Sequence, residues 1–315
     1  MNSFDKSNLQ QTDMQSLQSR VFSLQKLSNI YAEKKEYAEI LRLYEQFLTF
    51  KTPSMPNFPQ FFKKVKKVNR SLNSSFSQES PIITLGTMLR IMSVDEKIDK
   101  IISLYGAENV QVLSFGSGSD LRFQLDKYAS CSNIIELDFK ETIQYKAMVS
   151  LPKENLTYIP CDLTNLKEVI AALNPLLKEN VHTIVLMECL LCYLPIEIAE
   201  AYFDYFNTTV SKNNFELLHY VIYDPVSLCE EDSFTKIMYE NLHKFNNLHL
   251  YSLKEFNSIT DYLSRFKNSN LKFEYKSLWD YLSNSKDKKT LFKACLIDEF
   301  EELELLLSHY IILNS

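Results

Sequence analysis

Three observations predict an α/β fold built on a parallel sheet. Residues 110–125, VQVLSFGSGSDLRFQL, open with apolar Val110, Val112, Leu113 and Phe115 and then break at Gly116-Ser117-Gly118. That reads as a buried strand running into a tight turn. Downstream, apolar runs alternate with stretches of helical spacing, the pattern of strand–helix–strand units. Finally, four successive apolar runs end in polar residues: the turn up to Asp120, then Asp138, Asp162 and Glu188. Ligands of open α/β sheets bind beyond the carboxyl ends of the strands. Taken singly, Asp162 reads equally well as a helix cap, and Glu188 as a chance strand end. Four in succession point to a site.

The glycine turn carries the most information. The chain has only four glycines, and two of them flank Ser117. Average usage would give about twenty in a chain this long. Glycines kept under such economy mark positive φ or a close backbone approach. The run NIIELD at 133–138 is a second strand, and Asp138 lies about 20 residues past the turn, where a carboxylate meets a ribose. The third glycine of the dinucleotide fingerprint is replaced by Leu121, and no phosphate-binding Gly-Lys-Ser/Thr loop is present. A nucleoside ligand without pyrophosphate therefore fits better than NAD, and S-adenosylmethionine is the common one.

Taken in order, residues 1–13 are polar and read as loose. Residues 15–48 carry two helical stripes, Leu17, Val21, Leu24 and then Tyr37, Ile40, Leu41, Tyr44, on separate helices. Pro53 and Pro56 make 51–57 a loop. Residues 58–67, FPQFFKKVKK, read as a short surface helix with Phe61 and Phe62 tucked in, or as a contact for an acidic partner. Residues 71–80 are Ser/Asn-rich and read as a mobile connection. A helix over 83–104 puts Met88, Ile91, Val94, Ile98 and Ile101 on a core face, with Arg90 beside it.

Past the second strand, a helix follows over 141–149 and a third strand over 157–160. Thr164 or Asn165 could cap a helix over 166–177. HTIVLM at 182–187 is unbroken and apolar, as in a central parallel strand. A helix over 196–206, a fifth strand over 217–223, helices over 233–242 and 253–266, and a sixth strand over 271–275 come next. An acidic helix over 299–308 and a last strand over 310–314 close the chain.

Composition bounds the function. The chain has 315 residues and a net charge of −6, which gives no general attraction to nucleic acid or an anionic membrane. Six cysteines scattered in apolar stretches favour buried thiols in a reducing compartment. Cys189-x-x-Cys192 has the spacing of a metal or redox pair but no second pair or histidine follows nearby, so packing is the better reading and no metal is expected. No run approaches the roughly 18 apolar residues of a membrane span, and the expected compartment is the cytoplasm.

At this point the chain resembles the leucine carboxyl methyltransferase family. Ser114-Phe115-Gly116-Ser117-Gly118-Ser119-Asp120-Leu121 follows the family's Asn-Leu-Gly-Ala-Gly-x-Asp-Thr, and Glu136-Leu137-Asp138-Phe139 its Glu-Val-Asp-Phe, with Lys146 beyond. Asp162-Leu163, Glu188-Cys189-Leu190-Leu191-Cys192-Tyr193, Met238-Tyr239-Glu240-Asn241-Leu242, Asp298-Glu299 and His309-Tyr310 follow in the family's order. The resemblance is nearly continuous after Ile82 and patchy before it. It implies a class I S-adenosylmethionine-dependent methyltransferase: a seven-stranded, Rossmann-like sheet at 83–315, a helical lid insert around 226–268, and an N-terminal helical segment with a mobile loop at 1–82.

The resemblance also implies roles. Gly116, Ser117 and Gly118 would admit the methionine part of the cofactor, S-adenosyl-L-methionine. Asp138 would take the ribose hydroxyls, and Asp162 and Leu163 the adenine. Arg90 would meet the cofactor carboxylate, Arg20 stands where the family has a lysine, and Glu188 would face the cofactor's ammonium. The implied reaction is methyl transfer to the C-terminal leucine carboxylate of a type-2A protein phosphatase catalytic subunit, by a monomer. Such an acceptor is already ionised, so no general base is expected. Tyr193 is the candidate for the acceptor pocket wall, with a plain core tyrosine as the equal alternative. The sequence departs from the family at Pro81-Ile82-Ile83-Thr84-Leu85-Gly86, where an arginine is replaced, and at Asp232-Ser233-Phe234-Thr235. Alternatives are methylation of a hypermodified guanosine in transfer RNA, methylation of a small-molecule carboxylate, and a non-catalytic scaffold.

Overall fold

The computed structural model describes residues 3–50, 59–74, 79–210, 214–266 and 271–315. The loop expected over 51–57, and residues 75–78 of the connection expected over 71–80, lie outside these residues, while Ser71 and Leu72 of that connection belong to α3. Four helices come first: α1 (Ser3–Ile30), α2 (Lys35–Thr49), α3 (Pro59–Leu72) and α4 (Pro81–Tyr105). Then follow β1 (Val110–Phe115), β2 (Asn133–Asp138), α5 (Lys140–Val149), β3 (Leu156–Pro160), α6 (Leu166–Leu173), β4 (His182–Glu188), α7 (Ile196–Tyr205) and β5 (Leu218–Pro225). The insert carries α8 (Ser233–Asn246), α9 (Tyr251–Glu255) and α10 (Ile259–Leu263). The last segment is β6 (Glu274–Ser277), α11 (Leu278–Ser283), α12 (Lys288–Cys295), α13 (Phe300–Ser308) and β7 (Tyr310–Asn314).

The strands form one seven-stranded sheet in the order β3-β2-β1-β4-β5-β7-β6. The first five are parallel, as expected, while β7 runs antiparallel to both β5 and β6, so the sheet as a whole is mixed. The sixth strand lies a few residues later than expected, and Glu274, Tyr275 and Lys276 are exposed on it. Exposed charge is what an unpaired sheet edge carries.

Alternate residues of the central strands feed two cores. Val112, Ile134, Ile184 and Val221 pack with Leu17, Leu24, Met88, Val94 and Ile98 of the N-terminal helices. Leu113, Ile135, Val185 and Ile222 pack with α6 and α7 through Val169, Leu173, Ala199 and Tyr202. Parallel strands covered on both faces read as the unbroken apolar runs seen in the sequence. The α4 stripe from Met88 to Ile101 is buried as expected.

Some expectations need correction. Residues 1–13 were expected to be loose, but α1 begins at Ser3. Its polar residues face the protein: Lys6 pairs with Glu141 at 2.8 Å, and the Gln10 amide donates to the same carboxylate at 3.2 Å. The single helix expected over 253–266 is broken at Phe256, and Ser258 caps a second helix by accepting from the Asp261 N–H. The helix expected over 166–177 ends at Leu173, because Pro175 cannot continue it and a tighter turn follows. Asn165 takes the N-cap position, but its side chain makes no capping bond to the backbone and its amide donates to Glu168 instead. The cysteines are all free thiols, but Cys229 is exposed and Cys189 half-buried. Helices α11 and α12 were not anticipated. α12 holds α1 in place: Lys26 Nζ donates to the Ala294 carbonyl at 2.8 Å, and the Tyr31 hydroxyl donates to Asp287 at 2.8 Å just before α12. Among the described residues no helix is long and apolar enough to cross a membrane.

Candidate active site

β1 delivers the chain to the turn at Gly116 and Gly118, which have φ of +64° and +49°. Positive φ was one expected reason for glycine there, and it holds. Close approach also holds, but the neighbours are protein side chains. A Cβ on Gly116 would stand 2.9 Å from Leu190 Cδ1, and one on Gly118 would stand 2.6 Å from Asp13 Oδ1. Beneath the turn Lys146 is fully buried, paired with Glu136 at 2.8 Å and donating to Ser117 Oγ at 3.3 Å.

β2 ends at Asp138, which is locked against the turn. Its Oδ2 accepts from the Gly118 N–H at 2.8 Å and its Oδ1 from the Phe139 N–H at 2.6 Å. Burial, then the nearby Asp13 charge, push its carboxyl up to about 6 against those two hydrogen bonds. After β3, Asp162 Oδ1 accepts from both the N–H and the hydroxyl of Thr164, at 2.9 and 2.7 Å. The Leu163 carbonyl is fixed by the Tyr202 hydroxyl at 2.8 Å.

Glu188, at the end of β4, is held by three guanidiniums. Arg20 and Arg90 both donate to Oε1, the former at 2.7 Å, and Arg122 donates to Oε2 at 2.6 Å. Burial would raise this carboxyl, but Arg122, Arg90 and Arg20 outweigh it and hold Glu188 well below the usual carboxylate range. Arg122 also grips Asp120 at 2.6 Å and Asp95 at 3.0 Å. The next residue, Cys189, has a φ of +53°, rare for a residue with a side chain. That sharp turn starts the segment that carries half-buried Tyr193.

These elements enclose a cavity of ≈ 560 Å³ at the carboxyl ends of the strands. All ten residues singled out from the sequence line it: Arg20, Arg90, Gly116, Ser117, Gly118, Asp138, Asp162, Leu163, Glu188 and Tyr193. α8 contributes Leu242. Sequence reasoning missed Asp13, Tyr223 and Tyr310 in the lining, and Arg122 behind it. Arg122 had one available signal, a charge set between apolar Leu121 and Phe123. Asp13 had none. A second cavity, of ≈ 640 Å³, lies among α1, α3 and α4. It shares Gln15, Ser16, Ile83, Thr87 and Arg90 with the first and adds Lys64 and Lys67 of the basic helix. Phe61 of that helix is buried, as the surface-helix reading expected. Among the described residues no cluster of three or more His, Cys, Asp or Glu side chains could hold a metal ion.

A seven-stranded sheet of this order, with an acid at the end of β2 and a glycine turn after β1, defines a class I S-adenosylmethionine-dependent methyltransferase. The fold is shared with a Thermobifida fusca protein described as a methyltransferase candidate, at a TM-score of 0.52, 8% identity, and 87% of this chain on 92% of that one. The family model "Leucine carboxyl methyltransferase" matches residues 47–207. Leucine carboxyl methyltransferase 1 of Eremothecium gossypii is 31% identical over 262 residues, 74% of this chain and 78% of that protein. The Kluyveromyces lactis protein of the same name is 28% identical over 75% of this chain and 78% of its own. The tRNA wybutosine-synthesizing protein 4 of Aspergillus fumigatus is 24% identical over 75% of this chain but only 25% of its own length. The chain belongs to the leucine carboxyl methyltransferase family, and its cofactor is S-adenosyl-L-methionine.

The cavity fits that cofactor. Its volume lies within the roughly 300–1,000 Å³ of small-molecule sites. Asp138, Asp162 and Glu188 put carboxylates in its lining, and the lining residue Asp13 has an oxygen, Oδ2, that is shielded with no partner among the described residues.

Proposed function

We propose that the chain methylates the α-carboxylate of a C-terminal leucine on a type-2A protein phosphatase catalytic subunit, giving a methyl ester. When bound, the cofactor supplies a methyl group activated on a sulfonium. Asp138 accepts from the ribose hydroxyls, and Asp162 with Leu163 receives the adenine. The observation that best supports a carboxylate acceptor is one group of lining residues. It consists of Arg90, Tyr193, Tyr223 and Tyr310, with the Arg90 guanidinium 5.1 Å over the Tyr223 ring and Tyr223 stacked on Tyr310. Burial keeps all three phenols protonated far above neutral pH. They are neutral donors, suited to orienting an anion without abstracting a proton, and they stand beside an Arg90 guanidinium that also pairs with Glu188. Glu188 is neutralised by its three arginines. An ionised acceptor needs positioning and loss of water rather than a base. Lys64 and Lys67 make the second cavity the approach for a peptide tail with acidic character.

The test mixes labelled cofactor with phosphatase catalytic subunit, either intact or lacking its last leucine. Label on the intact subunit only, released as methanol by mild base, supports the reading. Cofactor binding without label on either subunit would refute this acceptor and favour the transfer-RNA or small-molecule alternatives.

A further inference from the structure

Asp13 lies on α1, 106 residues from the turn it touches. Its Oδ1 accepts from the Ser119 N–H at 2.9 Å and from the Ser119 hydroxyl at 2.8 Å. Its Oδ2 is shielded from solvent and has no hydrogen-bond partner among the described residues, and Asp13 itself lines the cavity. A buried acceptor with nothing to accept from is unfavourable, the more so when charged. The same carboxylate lies against Gly118, whose N–H donates to Asp138 Oδ2. Two carboxylates therefore hold the successive N–H groups of Gly118 and Ser119, and burial leaves both with a raised affinity for protons. The cations coupled to Asp13 are engaged elsewhere: Lys146 with Glu136 and Ser117, Arg20 with Glu188, and Lys64 with the Ser7 carbonyl. What Asp13 Oδ2 lacks is a donor, whereas each Asp138 oxygen has one and can accept a second.

We propose that Asp13 is a second anchor for the cofactor's ribose. One hydroxyl donates to Asp13 Oδ2 while its neighbour donates to Asp138, so a vicinal diol satisfies both acids at once. This rests on reading the cavity as the S-adenosylmethionine site. It makes α1 a strap whose seating and the cofactor's binding support each other.

The experiment titrates S-adenosylhomocysteine, and its 2′-deoxy and 3′-deoxy analogues, into the full chain and into the Asp13→Ala and Asp13→Asn variants. Asp13→Ala is expected to weaken S-adenosylhomocysteine by about ten- to a hundredfold, the worth of a hydrogen bond to a charged group. One deoxy analogue should bind the unaltered chain equally weakly, and Asp13→Ala should add nothing to that loss. If the loss from Asp13→Ala is the same for every analogue, Asp13 only braces the turn and the proposal falls. If the loss survives both deoxy changes but vanishes with methylthioadenosine, Asp13 serves the amino-acid end and the ribose assignment falls. Unchanged affinity in both variants overturns it outright. Failure of the unaltered chain to bind S-adenosylhomocysteine overturns the underlying site reading instead, an outcome distinct from the others.

Discussion

Arg122 Nη2 and Glu188 Oε2 lie 2.6 Å apart although 66 residues separate them in the chain. The bond ties the turn after β1 to the end of β4. Arg122 is the shared cation of Asp95, Asp120 and Glu188 and is 2% exposed. Removing one member of a buried charge network leaves the others uncompensated, at about 3–5 kcal/mol. Arg122→Leu should therefore lose about that much stability in chemical denaturation. Arg122→Lys should recover little, since a single ammonium cannot match the planar fork. A loss below about 1 kcal/mol for the leucine variant would mean that Arg20 and Arg90 suffice.

Gly118→Ala should loosen α1. The new Cβ would stand 2.6 Å from Asp13 Oδ1, and the φ of +49° is costly for alanine by roughly 1–2 kcal/mol. The expected result is lower global stability together with faster amide exchange in α1. Normal protection in α1 would show that the turn absorbs the methyl group.

Cofactor affinity should depend on pH through Asp138. Its carboxyl, raised to about 6, is half protonated near that pH and accepts best when ionised. S-adenosylhomocysteine binding should strengthen from pH 5 to 7 and level off above. Asp138→Ala should bind weakly throughout, and calorimetry across pH checks both. A step that persists in Asp138→Ala belongs to another group.

A second titration lies at the far end of the sheet. His182 Nδ1 and His219 Nε2 are 3.0 Å apart, and Tyr105 stacks on His182 at 3.5 Å. Burial, then the His182 charge, lower His219 from 6.5 to about 4. The unfolded chain then binds the proton more tightly. The contribution to stability is complete above about pH 6.5 and is lost as the pH falls toward 4. His219→Phe should flatten the Tm profile across that window.

Much of the architecture was legible because its signals are local. Val112, Leu113, Ile134 and Ile135 are apolar on both faces, and Asp138, Asp162 and Glu188 each follow such a run. Asp13 and Arg122 were illegible as site residues because their meaning depends on partners far along the chain. The amphipathic signal of α1 is weak for the same reason, since Lys6 and Gln10 face Glu141 rather than water. The antiparallel β7 is a strand by pattern alone, but its direction is set by the path through α13, which no local spacing encodes.

The contacts of α1 with α12 and the residue preceding it have a consequence for biosynthesis. The Lys26–Ala294 and Tyr31–Asp287 bonds span 268 and 256 residues. At usual translation rates α1 waits on the order of tens of seconds for those partners to be made. Those two bonds therefore close only after nearly all of the sheet exists, whereas the bonds of α1 to Thr84, Ser119 and Glu141 can form earlier. The last segment thus clasps a helix already resting on the nascent sheet.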